Sequence, residues 1–299
     1  MNLYQVGRYL AIVEKYMDKQ RTKKRMENTL LAHGGLFIFR SINFITRQLS
    51  RFIHVKPMEI NRYGKTFIVS GNLKYYLFWR HKSWEEETFR ILERYLDSNH
   101  SYIDIGAWIG PTVLYAAHIA KKTYAIEPDP LAFKELKENV SLNPTLQQKI
   151  SLHEKCINVT TGKARFGTPS MGGDTISSLR FGESENAWIV DGVTFDDFVK
   201  ENAINDCNMI KIDIEGAEAI VLPTMADYLE RYKPTLHLSM HPEFFDNPKE
   251  DTEKIIDMLK IYKAVYFEGE KKIEVSELLS KKRLKRRYTV VATDKIRET

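Results

Sequence analysis

The sequence predicts an α/β fold: a mostly parallel sheet with helices on both faces, an antiparallel terminal hairpin and an N-terminal helical and β-hairpin extension. Three observations predict it. From Tyr102 onward, short apolar runs alternate with longer helical stretches, the pattern of parallel strands joined by crossover helices. Two of those runs end in an acid and a glycine, where ligands of open α/β sheets bind. The last two apolar runs are joined without a clear helix, which predicts antiparallel pairing.

Residues 1–82 read as an accessory region and 83–299 as the main domain. Leu3, Val6, Leu10 and Val13 recur at helical spacing, and Lys19 to Arg25 form a charged run read as a solvated face. Leu36 to Phe52 predicts a second amphipathic helix. Thr66–Val69 and Tyr75–Trp79 flank Ser70-Gly71-Asn72, a turn signal, and predict a hairpin. Trp84–Leu96 predicts a helix with Ser83 as N-cap and Glu85, Glu86 and Glu87 in its first turn.

The alternation then runs through a strand at Tyr102–Ile105, a helix at Pro111–Ala120, a strand at Thr123–Ile126 and a helix at Pro130–Leu142. A strand at Ile150–His153 comes next. Residues 163–195 read as a strand-and-loop excursion, and Phe195–Glu201 as a short helix. Met209–Ile214 and Thr235–Met240 predict strands, with a helix after Gly216 and another at Lys249–Tyr262. Ala264–Phe267 and Tyr288–Ala292 predict the terminal hairpin, placed at the sheet edge.

Composition narrows the classes. In 299 residues, 43% are hydrophobic and 28% charged, a globular balance that argues against disorder. The net charge of +5 is mild and does not demand nucleic acid, which is not expected as a partner. Cys156 and Cys207 read as core residues of a protein in a reducing compartment. The N-terminus lacks a signal-peptide layout, and Arg40, Arg47 and two glycines interrupt the apolar stretch Leu30–Leu49. No transmembrane segment is predicted, and a cytoplasmic location is expected. Lys281 to Arg287 is a basic run without interleaved aromatics, read as a solvated loop.

Asp104-Ile105-Gly106-Ala107-Trp108-Ile109-Gly110 directly follows a strand and precedes a helix. Gly106 and Gly110 allow a sharp turn and close approach of a ligand to the backbone at Ala107. Asp104, at the strand's carboxyl end, is placed to hold the ammonium of a methionine moiety. A dinucleotide site would want G-x-G-x-x-G and free backbone N–H groups for a pyrophosphate. Here three residues separate the glycines, so S-adenosylmethionine, which carries no phosphate, fits better. Glu127 ends the next strand, placed to accept from both ribose hydroxyls. Pro128 and Asp129 complete that edge, Asp129 also as a helix cap.

Lys211-Ile212-Asp213-Ile214-Glu215-Gly216-Ala217-Glu218 is the third signal. Alternation puts Asp213 and Glu215 on one side if the strand continues that far. Glu218 reads as a first-turn dipole partner. His241, just beyond the strand Thr235–Met240, is the first candidate for a general base and Asp213 the second, with Glu215 beside them. His237 and His241 lie too far apart on a strand to share a metal, about 13 Å at ~3.3 Å per residue; no metal is assigned, and a carboxylate-bound Mg²⁺ involving Asp213 and Glu215 is left open. Gly172, Gly173, Asp174, Ser177 and Ser178 form a polar stretch suited to covering a ligand.

Taken together, Ile103–Gly110, Ala125–Asp129, Gly192–Phe198, Ile210–Glu218 and His241-Pro242 resemble the FkbM family of S-adenosylmethionine-dependent methyltransferases. The likeness covers about residues 83–245, and K-I-D-I-E-G-A-E is its most specific mark. Trp108 stands where the family commonly has Asn, and its indole would narrow the site; Pro111 after the second glycine is also unusual. The resemblance implies a class I methyltransferase fold and O-methylation of a small-molecule acceptor, often a sugar or glycoside. Two other readings remain open from the residues: a methyltransferase directed at RNA or a phosphate ligand, and a non-catalytic nucleoside-binding module.

Overall fold

The computed structural model describes residues 56–295, except 73–74, 76–78, 80–84, 170–172 and 174–175. The helices expected within residues 1–55, and Ser83, Trp84, Gly172 and Asp174, lie outside the described residues. The chain divides into two units, residues 1–55 with 72–76 and residues 56–71 with 77–299. The second unit carries the sheet.

Its centre is built from runs apolar on both faces, as strands covered on both sides require. β3 (Ser101–Ile105) is buried at every residue. It pairs in parallel with β4 (Lys122–Ile126) on one side and β9 (Cys207–Ile212) on the other. β5 (Ile150–His153) extends the sheet beyond β4, and β10 (Thr235–Met240) extends it beyond β9, again in parallel. Helices α2 (Pro111–Ala116) and α3 (Pro130–Ser141) succeed β3 and β4, and the short α4 (Pro144–Gln147) precedes β5. Ile103, Ile105, Ile210, Ile212, Leu236 and Leu238 join the main core, into which Phe195 and Phe198 of α5 (Phe195–Glu201) also pack.

The terminal strands pair as expected, but not at the edge. β11 (Ala264–Phe267) and β13 (Tyr288–Thr293) are antiparallel, with Val265 opposite Ala292. β13 is inserted between β11 and β10, antiparallel to both, and the edge strand is β12 (Lys271–Ile273). The inserted position explains why β13 is apolar on both faces. The order β12-β11-β13-β10-β9-β3-β4-β5 is a Rossmann-like sheet of the class I methyltransferase type, with β12 added. The excursion after β5 contains β6 (Cys156–Ile157), β7 (Gly162–Thr168) and β8 (Asn186–Val193), a separate small sheet.

The N-terminal hairpin differs from expectation. β2 (Lys65–Val69) pairs with β1 (Met58–Arg62), and the turn is Tyr63-Gly64. Both turn residues are left-handed, φ 47° and 77°, as a two-residue hairpin demands. The weakly apolar Met58–Arg62 gives little strand signal, which is why the pattern favours Tyr75–Trp79 as the partner. Trp79 instead packs edge-on against Phe67 at 6.0 Å. Asn143 clamps Ile68 through both its N–H and its carbonyl, at 2.8 and 2.6 Å. The hairpin thus belongs to the sheet unit, which begins upstream of residue 83. α1 (Glu86–Tyr95) comes after it, buried through Phe89, Ile91 and Leu92.

Candidate functional site

The loops after β3, β4, β9 and β10 converge at the carboxyl edge of the sheet. Gly106 N and Ala107 N both donate to the Ile126 carbonyl, at 3.0 and 3.1 Å, tying the first loop to β4. Gly106 has φ +87°, and a Cβ there would lie 1.8 Å from the Asp213 carbonyl oxygen. This glycine lets the loops after β3 and β9 touch through their backbones, a closer reason for it than ligand approach. Gly110, φ +92°, starts α2, and a Cβ there would meet Leu136 at 2.5 Å.

Glu127 is buried at the end of β4. Its carboxylate accepts from Trp108 N at 2.9 Å and Asp129 N at 2.8 Å, so the glycine loop fixes its orientation. Burial pushes its carboxyl up to about 8; the neighbouring Asp129 charge adds to this, and the two backbone N–H groups oppose it. Asp129 caps α3 through Oδ1, at 2.9 Å from Leu131 N. Its Oδ2 accepts from Gly173 N at 2.6 Å and Ser177 Oγ at 2.9 Å. Asp129 therefore does not line the cavity but fastens the loop that does. Ser178 Oγ donates to the Ile214 carbonyl, fastening the same loop to the β9 side.

Asp104 does not reach the ligand space. It is fully buried, with Lys211 Nζ at 3.4 Å, Tyr102 Oη at 3.1 Å and a hydrogen bond from Thr112. The strand alternation that aims Asp104 inward also aims Lys211 at it from the adjacent position of β9. Lys211 lies 3.5 Å from Asp213 as well. Burial would lower the Lys211 ammonium, but Asp104, Asp213 and Glu85 outweigh that and hold it well above the usual range. Burial would raise Asp213, yet Lys211 and His241 hold it below the ordinary carboxylate value.

Glu85 and Lys211 are the residues that sequence reasoning misses. Glu85 precedes α1 with φ 58°, a left-handed conformation that turns it out of the helix run and onto the cavity wall. Three consecutive glutamates read as a solvated first turn, and no local signal separates the first. Lys211 reads only as part of a strand, though a lysine amid Met-Ile and Ile-Asp is itself a sign of a buried charge needing partners.

β9 ends at Ile212, so alternation does not place Glu215. Glu215, φ 51°, and Gly216, φ 98°, instead curl the chain back. That turn is closed by Glu218, fully buried at the start of α6 (Glu218–Val221), which accepts from Gly216 N at 3.0 Å. Glu218 is thus more than a dipole partner. It also holds His241 Nδ1 at 2.9 Å, leaving Nε2 3.7 Å from Asp213 and 3.5 Å from Glu215. The ring is buried just past the end of β10. Burial would lower its pKa, but the Glu218 hydrogen bond and the Glu218, Asp213 and Glu215 charges push it up to about 9. Burial pushes the Glu215 carboxyl up to about 7, with His241 opposing. Among the described residues Asp213, Glu215 and His241 form a group of possible metal ligands, His241 standing beside the two carboxylates that the sequence leaves open for Mg²⁺. His237 stays apart, buried within β10 and pushed by burial down to about 3.

These loops enclose a cavity of about 400 Å³. One side carries Gly106, Ala107, Trp108, Glu127 and Pro128 with the apolar Ile105, Ile126 and Ile157. The other carries Glu85, Lys211, Asp213, Glu215 and His241, with Ser239, Arg287 and Thr289. An apolar slot beside an oriented carboxylate suits an adenine and its ribose, so the residues present fit a nucleoside-bearing cofactor. Arg287, 3.2 Å from Glu243, is the member of the basic run that reaches this wall. No helix among the described residues is long and apolar enough to cross a membrane.

A family model described as the Methyltransferase FkbM domain matches residues 104–266. No curated protein matches the chain. Among solved structures, it is similar to the methyltransferase FkbM of Methylobacillus flagellatus, at 17% identity and a TM-score of 0.43. That match covers 66% of this chain and 44% of the other, so this chain spans less than half its length. A Streptococcus mutans methyltransferase in complex with SAH matches at 10% identity and a TM-score of 0.39, covering 70% and 96% of the two chains. The M. jannaschii tRNA m1G37 methyltransferase matches at 15% and 0.37, covering 81% and 58%.

Proposed function

Because the chain belongs to the FkbM family of methyltransferases, we propose that it transfers the methyl group of S-adenosylmethionine to a hydroxyl oxygen of a small acceptor, a sugar or sugar-bearing compound. The observation that carries this reading is the two-sided cavity: the oriented Glu127 carboxylate on one wall, and Asp213, Glu215 and His241 on the other.

Bound there, the cofactor supplies an electrophilic methyl group on a positively charged sulfur. Glu127, held by Trp108 N and Asp129 N, accepts from the ribose hydroxyls. Ile105, Ile126 and Ile157 take the adenine and exclude water from it. Glu85, rather than the buried Asp104, is the carboxylate at hand for the methionine ammonium. Asp104 acts at one remove, by fixing Lys211 and through it Asp213.

Methyl transfer is an in-line displacement, so positioning of the acceptor supplies much of the rate. A hydroxyl is a weak nucleophile until its proton departs. The acidic cluster opposite the glycine loop supports a hydroxyl acceptor, because it can draw that proton off. Burial would lower the His241 pKa and its carboxylate neighbours raise it, so the imidazole alone is not assigned as the base. Ser239, Thr289 and Arg287 offer the hydrogen-bond partners that a polyol needs.

Calorimetric titration with S-adenosylmethionine, S-adenosylhomocysteine and NAD tests the cofactor, followed by a screen of sugars and glycosides for methyl incorporation. Binding of both S-adenosyl compounds and not NAD is expected. Binding of NAD alone, or of none of the three, would overturn the reading.

A further inference from the structure

We propose that Asp213, Glu215 and His241 form a divalent-cation site at the acceptor wall of the cavity. The proposal rests on the methyltransferase reading of that cavity and adds to it a metal ion that activates the acceptor.

The geometry comes first. One ligand atom from each of the three residues lies within 4.8 Å of the others. Nε2 of His241 is 3.5 Å from Glu215 Oε2 and 3.7 Å from Asp213 Oδ1. Metal–ligand bonds of about 2.1 Å put neighbouring ligand atoms roughly 3.0 Å apart in an octahedron and 3.4 Å apart in a tetrahedron. The two His–carboxylate separations, 3.5 and 3.7 Å, are therefore within about 0.3 Å of the tetrahedral spacing and about 0.5–0.7 Å longer than the octahedral one. They are too long for hydrogen bonds of good geometry.

A second observation is independent of the clustering. The Glu215 side chain is only 9% exposed, yet its Oε2 has no hydrogen-bond partner and points at His241 Nε2. A buried carboxylate oxygen without a donor is costly unless something positive meets it. The orientation of the imidazole agrees. Glu218 takes Nδ1 at 2.9 Å, which fixes the ring and presents Nε2 to the cluster, the carboxylate–histidine arrangement that supports metal ligands.

Charge points the same way. Asp213, Glu215 and Glu218 surround one imidazole, while the ammonium beside Asp213, that of Lys211, is shared with Asp104. The donor set of two carboxylates and one imidazole suits a divalent ion that accepts oxygen and nitrogen together, such as Mn²⁺ or Zn²⁺. All three residues line the cavity, so an acceptor entering it could reach an ion that they hold. There the acceptor hydroxyl oxygen binds the ion, and the O–H bond weakens until its proton passes to water. The oxygen's electron pair then forms the O–CH₃ bond as the CH₃–S bond breaks and its pair returns to sulfur, leaving a neutral thioether.

The test uses the full chain freed of metal with EDTA and then dialysed. Mn²⁺ is titrated in, and the free ion is read by EPR, with S-adenosylhomocysteine titrated calorimetrically into the same preparation. One Mn²⁺ per chain is expected. Glu215→Gln and His241→Ala should each weaken Mn²⁺ at least about tenfold, as loss of one ligand does, while S-adenosylhomocysteine still binds. That second titration shows each variant to be folded, and Asp213→Asn replaces one that is not. Failure of wild type to bind Mn²⁺ at millimolar concentration, while S-adenosylhomocysteine binds, would overturn the metal site and leave the methyltransferase reading intact. Equal Mn²⁺ affinity in wild type and the variants would overturn it too, by placing the ion elsewhere. Failure of both titrations would sink the two readings together.

Discussion

Replacing Lys211 by Met should be among the most damaging single changes in the domain. Lys211 is 4% exposed and Asp104 is 0% exposed, with Nζ 3.4 Å from the carboxylate. The methionine fills a similar volume but leaves Asp104 without the cation that faces it. Breaking a buried pair by removing one partner costs roughly 3–5 kcal/mol. At about 2–4 °C per kcal/mol for a domain of this size, Tm should fall by about 6–20 °C. The pH dependence comes from the remaining acid. Burial already raises the Asp104 carboxyl, and loss of Lys211 raises it further. An acid whose folded pKa lies above its unfolded value binds a proton more tightly when folded, so stability rises as pH falls toward the unfolded value. The deficit of Lys211→Met should therefore be smaller at pH 5 than at pH 8. The double variant Lys211→Met/Asp104→Asn should recover much of the loss. Urea unfolding of the four proteins at both pH values gives the coupling energy. A single-variant loss below about 1 kcal/mol, or a double variant that behaves as the sum of the singles, would refute the pair.

Gly106→Ala should lower Tm and weaken cofactor binding, since its Cβ meets a backbone carbonyl at 1.8 Å in a left-handed conformation; a melting curve and calorimetry check the two. The affinity for S-adenosylhomocysteine should tighten by up to about tenfold per pH unit between pH 6 and 8, because Glu127, at about 8, must lose its proton to accept from the ribose; Glu127→Gln should flatten that profile. His241→Ala should slow methyl transfer while leaving S-adenosylhomocysteine affinity nearly unchanged, and single-turnover assays with an accepted substrate would expose the opposite result. Asp129→Ala should speed proteolysis within residues 169–178, because it removes both the Gly173 and the Ser177 attachment; unchanged cleavage would show the loop to be held by other contacts.

Most of the sheet was legible because its central strands are buried on both faces and so carry unbroken apolar runs. Ser101–Ile105 and Thr235–Met240 are strands within a residue of where the pattern puts them. β12 was not legible: Lys271 and Lys272 are exposed, and a short edge strand needs no apolar face. The glycine loop and Glu127 stand at the strand ends where the pattern puts them, because strand-end position depends on the apolar runs alone. Asp104 is a different case. Its place at a strand end is right, but Lys211, far away in sequence, claims its carboxylate, and only the parallel register of β3 and β9 reveals that. Glu215 likewise owes its position to a left-handed turn that strand alternation cannot anticipate.

Gly106 packs against the Asp213 backbone, and Asp213 N in turn donates to the Ile105 carbonyl at 2.9 Å. The loop after β3 and the loop that carries the acidic cluster are therefore joined directly through their backbones. Ser178 bonds to Ile214, and Asp129 bonds to Gly173 and Ser177, so these residues are tied to both halves. An in-line displacement loses rate steeply when donor and acceptor are misplaced by an ångström. A fold that fixes both walls through shared backbone contacts holds that distance without relying on side-chain order. Substitutions at Gly106 should therefore depress turnover more than cofactor affinity in any variant that still folds, because they move one wall relative to the other.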